Sequence, residues 1–228
     1  MTAPPGPGYP VTIPPTERIR IAYQSRQQSD YIFSFWTALG WFVLTFGIYG
    51  YYVFYQLVRR SRDHNRRRLE LLDATAAHAW DRAVAQGKDD ELRPRFEQLA
   101  ASLDPLRRMT TDFRDPAIWV VLDFVSSGIA YFVGLVLIDQ DFVKHEWGER
   151  AAQAQLAEIL TIVGVTVHPT GPPTKRSHNY VGRVIATIFS FGFYGLWWTN
   201  DVMKEGNAHF YEDWRWEDEV AAAVQGAA

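Results

Sequence analysis

Residues 31–68 read YIFSFWTALGWFVLTFGIYGYYVFYQLVRRSRDHNRRR, and the fold turns on how this stretch is read. No charged side chain occurs from 31 to 58, after which six arginines fall within ten residues: Arg59, Arg60, Arg62, Arg66, Arg67 and Arg68. A helix rises about 1.5 Å per residue, so the uncharged tract would reach about 42 Å against a hydrocarbon core of about 30 Å. It is too long for one perpendicular crossing and too short for two. Gly47 and Gly50 divide it, and Tyr49, Tyr51, Tyr52 and Tyr55 follow as an aromatic cluster suited to the headgroup level. The expectation is a membrane-spanning helix to about Gly47 that bends and continues along the interface. The arginines are then a topology anchor on the cytoplasmic side, or a lipid-headgroup site.

Working outward, the chain reads as an all-α, polytopic helical membrane protein with about three transmembrane helices, placed in the cell membrane as a multi-pass protein. The Pro- and Gly-rich opening, MTAPPGPGYPVTIPPT, predicts a disordered tail, drawn to residue 30. Residues 31–70 form the first membrane unit. Stripes of Leu69, Leu72, Ala76 and Trp80 and of Leu92, Phe96, Leu99, Leu103 and Leu106 predict a cytoplasmic helical hairpin over 71–115. The second of these stripes is the expected partner surface if its sister helix leaves it exposed. Residues 116–138, with Asp123 as their one charge, form the second span; 139–178 form an amphipathic helix and a loop; 179–219 hold a third span and a further amphipathic helix; 220–228 are a tail. Thirteen Lys or Arg in 59–115 against four in 139–179 put the N-terminus outside.

Displacing the sequence by 145 residues lays Thr45-Phe46-Gly47-Ile48-Tyr49-Gly50 over Ser190-Phe191-Gly192-Phe193-Tyr194-Gly195, and His64 over His209. Order and spacing together argue for an internal duplication. In these residues the chain resembles the bacterial membrane domain of unknown function 4234, over roughly 31–70 and 179–219. The resemblance implies an integral membrane protein without an assigned activity and transfers no catalytic residue. A rival reading makes each FG-x-YG unit a re-entrant turn between half-length helices, a pattern that points to transporter sites and an oligomeric conduit.

An intramembrane carboxylate costs about 2.5–3.5 kcal/mol, so Asp123 is expected to face protein, with Gln56, Arg59 or Asn200 as its contact. Ser126, Ala130 and Gly134, and likewise Gly182, Ala186 and Ser190, form small-residue ladders for close helix packing. The chain has no cysteine, which excludes disulfides and thiolate sites. The six histidines give no ligand set by linear spacing, since Glu149 stands where a zinc-protease helix would repeat His145. No catalytic residue, cofactor or nucleic-acid partner is expected. The function expected is that of a noncatalytic interaction or accessory subunit, partnered by the lipid bilayer and by another membrane protein or a second copy.

Overall fold

The computed structural model describes residues 13–111 and 115–226, and every regular element among them is a helix. Three helical hairpins organise the chain. Each pairs a ten-residue helix with one of 34 to 37 residues: α3 (Phe35–Leu44) with α4 (Tyr49–Ala85), α6 (Pro116–Val125) with α7 (Ile129–Ile162), and α8 (Tyr180–Phe189) with α9 (Phe193–Gly226). The remaining helices are α1 (Pro15–Gln24), α2 (Arg26–Ser29) and α5 (Asp89–Thr111).

The three reversals share one construction. Ser34, Asp115 and Asn179, each thirteen residues before the turn glycine, cap the short helix with a side-chain oxygen on its first backbone amides. Phe46, Ser127 and Phe191 have φ of 50°, 53° and 52°, and Gly47, Gly128 and Gly192 follow with φ of 90°, 93° and 92°. Two successive left-handed residues reverse the chain, and the second is glycine because a Cβ there is strained. The glycine amides close back onto Phe42, Asp123 and Thr187 carbonyls at 2.8, 3.0 and 2.9 Å. Thr45, Ser126 and Ser190 then accept from the amides of Tyr49, Ala130 and Tyr194 at 2.9, 2.9 and 2.8 Å. The duplication is therefore a triplication, whose middle copy carries Ser127-Gly128-Ile129-Ala130 in place of the aromatic motif.

This geometry corrects the expected topology. The arms on either side of each break run antiparallel: Arg60 donates to the Tyr31 carbonyl across the first hairpin at 3.3 Å, and Arg183 pairs with Asp201 across the third at 3.0 Å. Folding back halves the oily length, and the long arms run on into charged sequence. Among the described residues no helix is long and apolar enough to cross a membrane. The three predicted spans, and the multi-pass placement in the cell membrane built on them, are overturned. The FG-x-YG units are turns between a short and a long arm.

Two apolar cores stack along the long arms. One, at the turn end, gathers Phe54, Leu57, Leu135, Ile138, Trp198 and Val202. The other, toward the distal ends, includes Leu72, Leu92, Leu103, Leu156, Trp216 and Val220. Helix α5 doubles back through Gly87 onto α4 and α7, continuous through Pro94 and Pro105, so Leu92, Leu99 and Leu103 are covered by the protein itself. The partner surface expected there is absent. The predicted tails are likewise ordered where described: Ile19 and Ala22 of α1 are buried with the distal core, and α9 carries Val220 and Val224 into it. Residues 1–12 and 227–228 lie outside the described residues.

Candidate functional site

Two features stand out against this frame, a cluster of apolar tips and a buried polar layer. The three turns sit at one end of the molecule, since Gly47, Gly128 and Gly192 together line one open cavity of about 580 Å³, with Phe42, Tyr51, Phe124, Phe132 and Leu196 in its wall. The outward side chains of the turns are unprotected: Phe46 is 97% and Phe191 95% exposed, and Leu44, Ile48, Val125, Ile129, Phe189 and Phe193 are exposed beside them. Trp36, Trp41, Tyr52 and Trp197 ring the same arms at exposed positions. Apolar surface gathered on this scale is rare on a protein that faces only water.

Between the two cores each long arm contributes a histidine, His64, His145 and His209, each seventeen positions after its turn glycine. Their ring centroids form a nearly equilateral triangle of 5.2, 5.3 and 5.7 Å, so the repeats close around a pseudo-threefold axis. Four residues further on stand Arg68, Glu149 and Asp213. All six side chains are buried. Arg68 pairs with Glu149 and, at 2.9 Å, with Glu217, while Arg67 bridges Glu217 and Asp30 at 2.7 Å each. Asp30 also holds His64 Nδ1 at 2.9 Å and accepts from Trp214 at 2.7 Å. Burial alone works against the imidazolium of His209, but Asp213 and Glu149 outweigh it and raise the group to about 10. At His64 burial prevails over Asp30 and lowers the group to about 4.

The arginine cluster divides accordingly. Arg60, Arg67 and Arg68 are interior groups rather than anchors, with Arg60 reaching Asn207 at 3.0 Å and the Val202 carbonyl at 2.9 Å. Burial lowers the Arg60 guanidinium to about 9. Arg59 and Arg62 pair with Asp63, and Arg66 is exposed. Asp123 meets none of its expected partners. Its carboxylate accepts from the Tyr131 amide at 3.0 Å and so ties the second turn.

Of the small-residue ladders, Gly134 does permit close approach, since a Cβ there would lie 2.5 Å from the Phe54 ring. Ser126 and Ser190 are turn caps, and Ala130 follows the reversal, so Ser126-Ala130-Gly134 is not one helix face. Gly182 lies against its own capping residue Asn179, and Gly182, Ala186 and Ser190 are only half-buried. In the repeat motif, Gly50 lies against Phe42 and Gly195 against Phe132, while Tyr49 packs on Trp41 and Tyr194 borders the core at the turn end.

The histidines, unrelated by any linear ligand spacing, are brought together by the fold. The donor atoms of His64, His145, Glu149 and His209 all lie within 4.8 Å of one another. A signal was present in the sequence, the constant interval from glycine to histidine in three places, but the middle copy lacks the aromatic motif that marks the other two. A second group, Asp139, His178 and Glu205, is also compact, but the Lys175 ammonium already fills it, 2.5 Å from Asp139 and in contact with Glu205. No family model, curated protein or solved structure matches the chain.

Proposed function

We propose that the protein is an accessory or interaction protein of a lipid surface, which seats its three hairpin tips in one leaflet of a bilayer and holds its helical body beside the membrane. The observation that carries this reading is that three apolar turns point from the same end of the molecule while their amides are closed internally. Helix ends ordinarily leave several amides and carbonyls that need water. Here the turn amides are taken by carbonyls and by the hydroxyls of Thr45, Ser126 and Ser190. Lipid makes that demand of any backbone placed in it.

Length decides how deep the tips go. A ten-residue arm is about 15 Å long, half of a hydrocarbon core of about 30 Å, so it suits insertion into one leaflet. The exposed Trp and Tyr residues on the same arms match the preference of these rings for the membrane–water interface. The lipid bilayer remains the partner expected from the sequence, with insertion in place of crossing.

The natural absence of cysteine gives a direct test. Single cysteines at Phe46, Ser127 and Phe191, spin-labelled in protein bound to anionic vesicles, are expected to be relaxed by oxygen in the lipid, at similar depth from one side. Labels relaxed by an aqueous reagent, or reached from the vesicle lumen, would overturn the reading. So would a native chain that stays off vesicles while its tips pair with a second copy.

A further inference from the structure

The buried layer contains side-chain atoms that the protein itself leaves unsatisfied. Nε2 of His64, His145 and His209, Oε2 of Glu149 and Oδ2 of Asp213 make no hydrogen bond of good geometry. They face one another: Glu149 Oε2 is 3.3 Å from His145 Nε2 and 3.4 Å from His209 Nε2, and Asp213 Oδ2 is 3.0 Å from His209 Nε2 and 3.5 Å from His64 Nε2. Each of these residues is at most 4% exposed, so bulk solvent does not reach them. Orphaned polar atoms at one buried point ask for an occupant.

We propose that the pseudo-threefold axis carries a site for one divalent first-row transition metal ion, ligated by Nε2 of the three histidines and by Glu149, with Asp213 beside them. The donor set is imidazole and carboxylate without thiolate, which suits zinc, iron, cobalt or manganese and disfavours the soft copper(I) ion. Contracting the four donors toward their centre by roughly 1 Å or less reaches metal–ligand distances of about 2.0–2.2 Å. With Asp30 holding Nδ1–H of His64, the Nε2 lone pair of that ring points inward, the arrangement in which an outer carboxylate orients a metal-binding imidazole.

The surroundings of the axis are rich in carboxylates. Four buried carboxylates, Asp30, Glu149, Asp213 and Glu217, meet two guanidinium groups, Arg67 and Arg68. A third, Arg150, reaches Asp213 at 3.3 Å but also serves Glu146 and Glu212. A cavity of about 250 Å³ lined by Glu146, Lys175, Glu205 and Glu212 borders His209.

The test uses the full chain, purified in detergent without a polyhistidine tag, stripped with chelator and titrated with cobalt(II). The expected result is a single tight equivalent with the ligand-field absorption of imidazole-coordinated cobalt, displaced by zinc(II). His145→Ala should abolish the bands, and Asp30→Asn should weaken cobalt binding by about 10–100-fold. Native protein without a stoichiometric site overturns the proposal, as does a folded His145→Ala variant that binds like the native chain. Should that variant fail to fold, X-ray absorption on the native cobalt complex decides by counting imidazoles, three supporting the site and fewer refuting it. A layer that balances its charge with protons alone would bind no cobalt, whether or not the tips enter lipid.

Discussion

Replacing both Phe46 and Phe191 by alanine removes the outermost ring from two of the three tips. Because these rings are 97% and 95% exposed, their loss takes almost nothing from the folded protein, within about 0.5 kcal/mol for a surface change. In a leaflet the same rings leave water completely, and burying a phenylalanine side chain contributes about 1.5–3 kcal/mol. The two sit on separate hairpins and should add, giving about 3–6 kcal/mol for the pair. At about 1.4 kcal/mol per tenfold, vesicle partitioning falls by about 100-fold at the lower bound and about 10,000-fold at the upper. Flotation with anionic vesicles across a range of lipid concentrations measures this, with thermal melting as the control on folding. Partitioning that drops by less than about tenfold, with melting unchanged, would refute lipid contact at the tips. A large fall in melting temperature would refute the claim that the rings are free of protein contacts.

Gly128→Ala forces a side chain into φ of 93° and should cost about 1–2 kcal/mol in chemical denaturation. Gly134→Ala drives a Cβ to 2.5 Å from Phe54 and should cost about 1–3 kcal/mol by overpacking, with Phe54→Leu on the same chain recovering part of the loss. The Asp139 carboxyl is raised by burial, but Lys175, Tyr180 and His178 outweigh that and hold it below its ordinary 3.8. A depressed carboxyl stabilises the fold above its unfolded value, and that stability is lost as pH falls through the folded value. The stability gap between native protein and Asp139→Asn should therefore be full near neutrality and close below about pH 4, read from denaturation midpoints at each pH.

The breaks at Gly47 and Gly192 were legible because large aromatics flank paired glycines within uncharged tracts. Whether such a break bends or reverses the chain was not, since hydropathy is blind to the sign of φ; the left-handed pair Phe46-Gly47 settles it only in three dimensions. The middle repeat was hidden for a chemical reason: Ser127 and Ala130 preserve the turn without its aromatic signature, and the intervals from Asp115 to Gly128 and from Gly128 to His145 betray it. The arginines misled because charge counting sees no partners. Arg67 and Arg68 are neutralised by Asp30, Glu149 and Glu217, which lie far away in the chain, one of them in a segment read as disordered. The helical stripe from Leu92 to Leu103 was read correctly as apolar, but the sequence did not show that α7 covers it.

Fusing three hairpins into one polypeptide frees their central ring from a restriction that identical subunits would impose. A trimer of separate copies would set the same side chain three times around its axis, so the place now held by Arg68, Glu149 and Asp213 would bring together three like charges out of reach of water. Covalent linkage lets one cation face two anions at equivalent places, while the histidines, which tolerate repetition, stay alike.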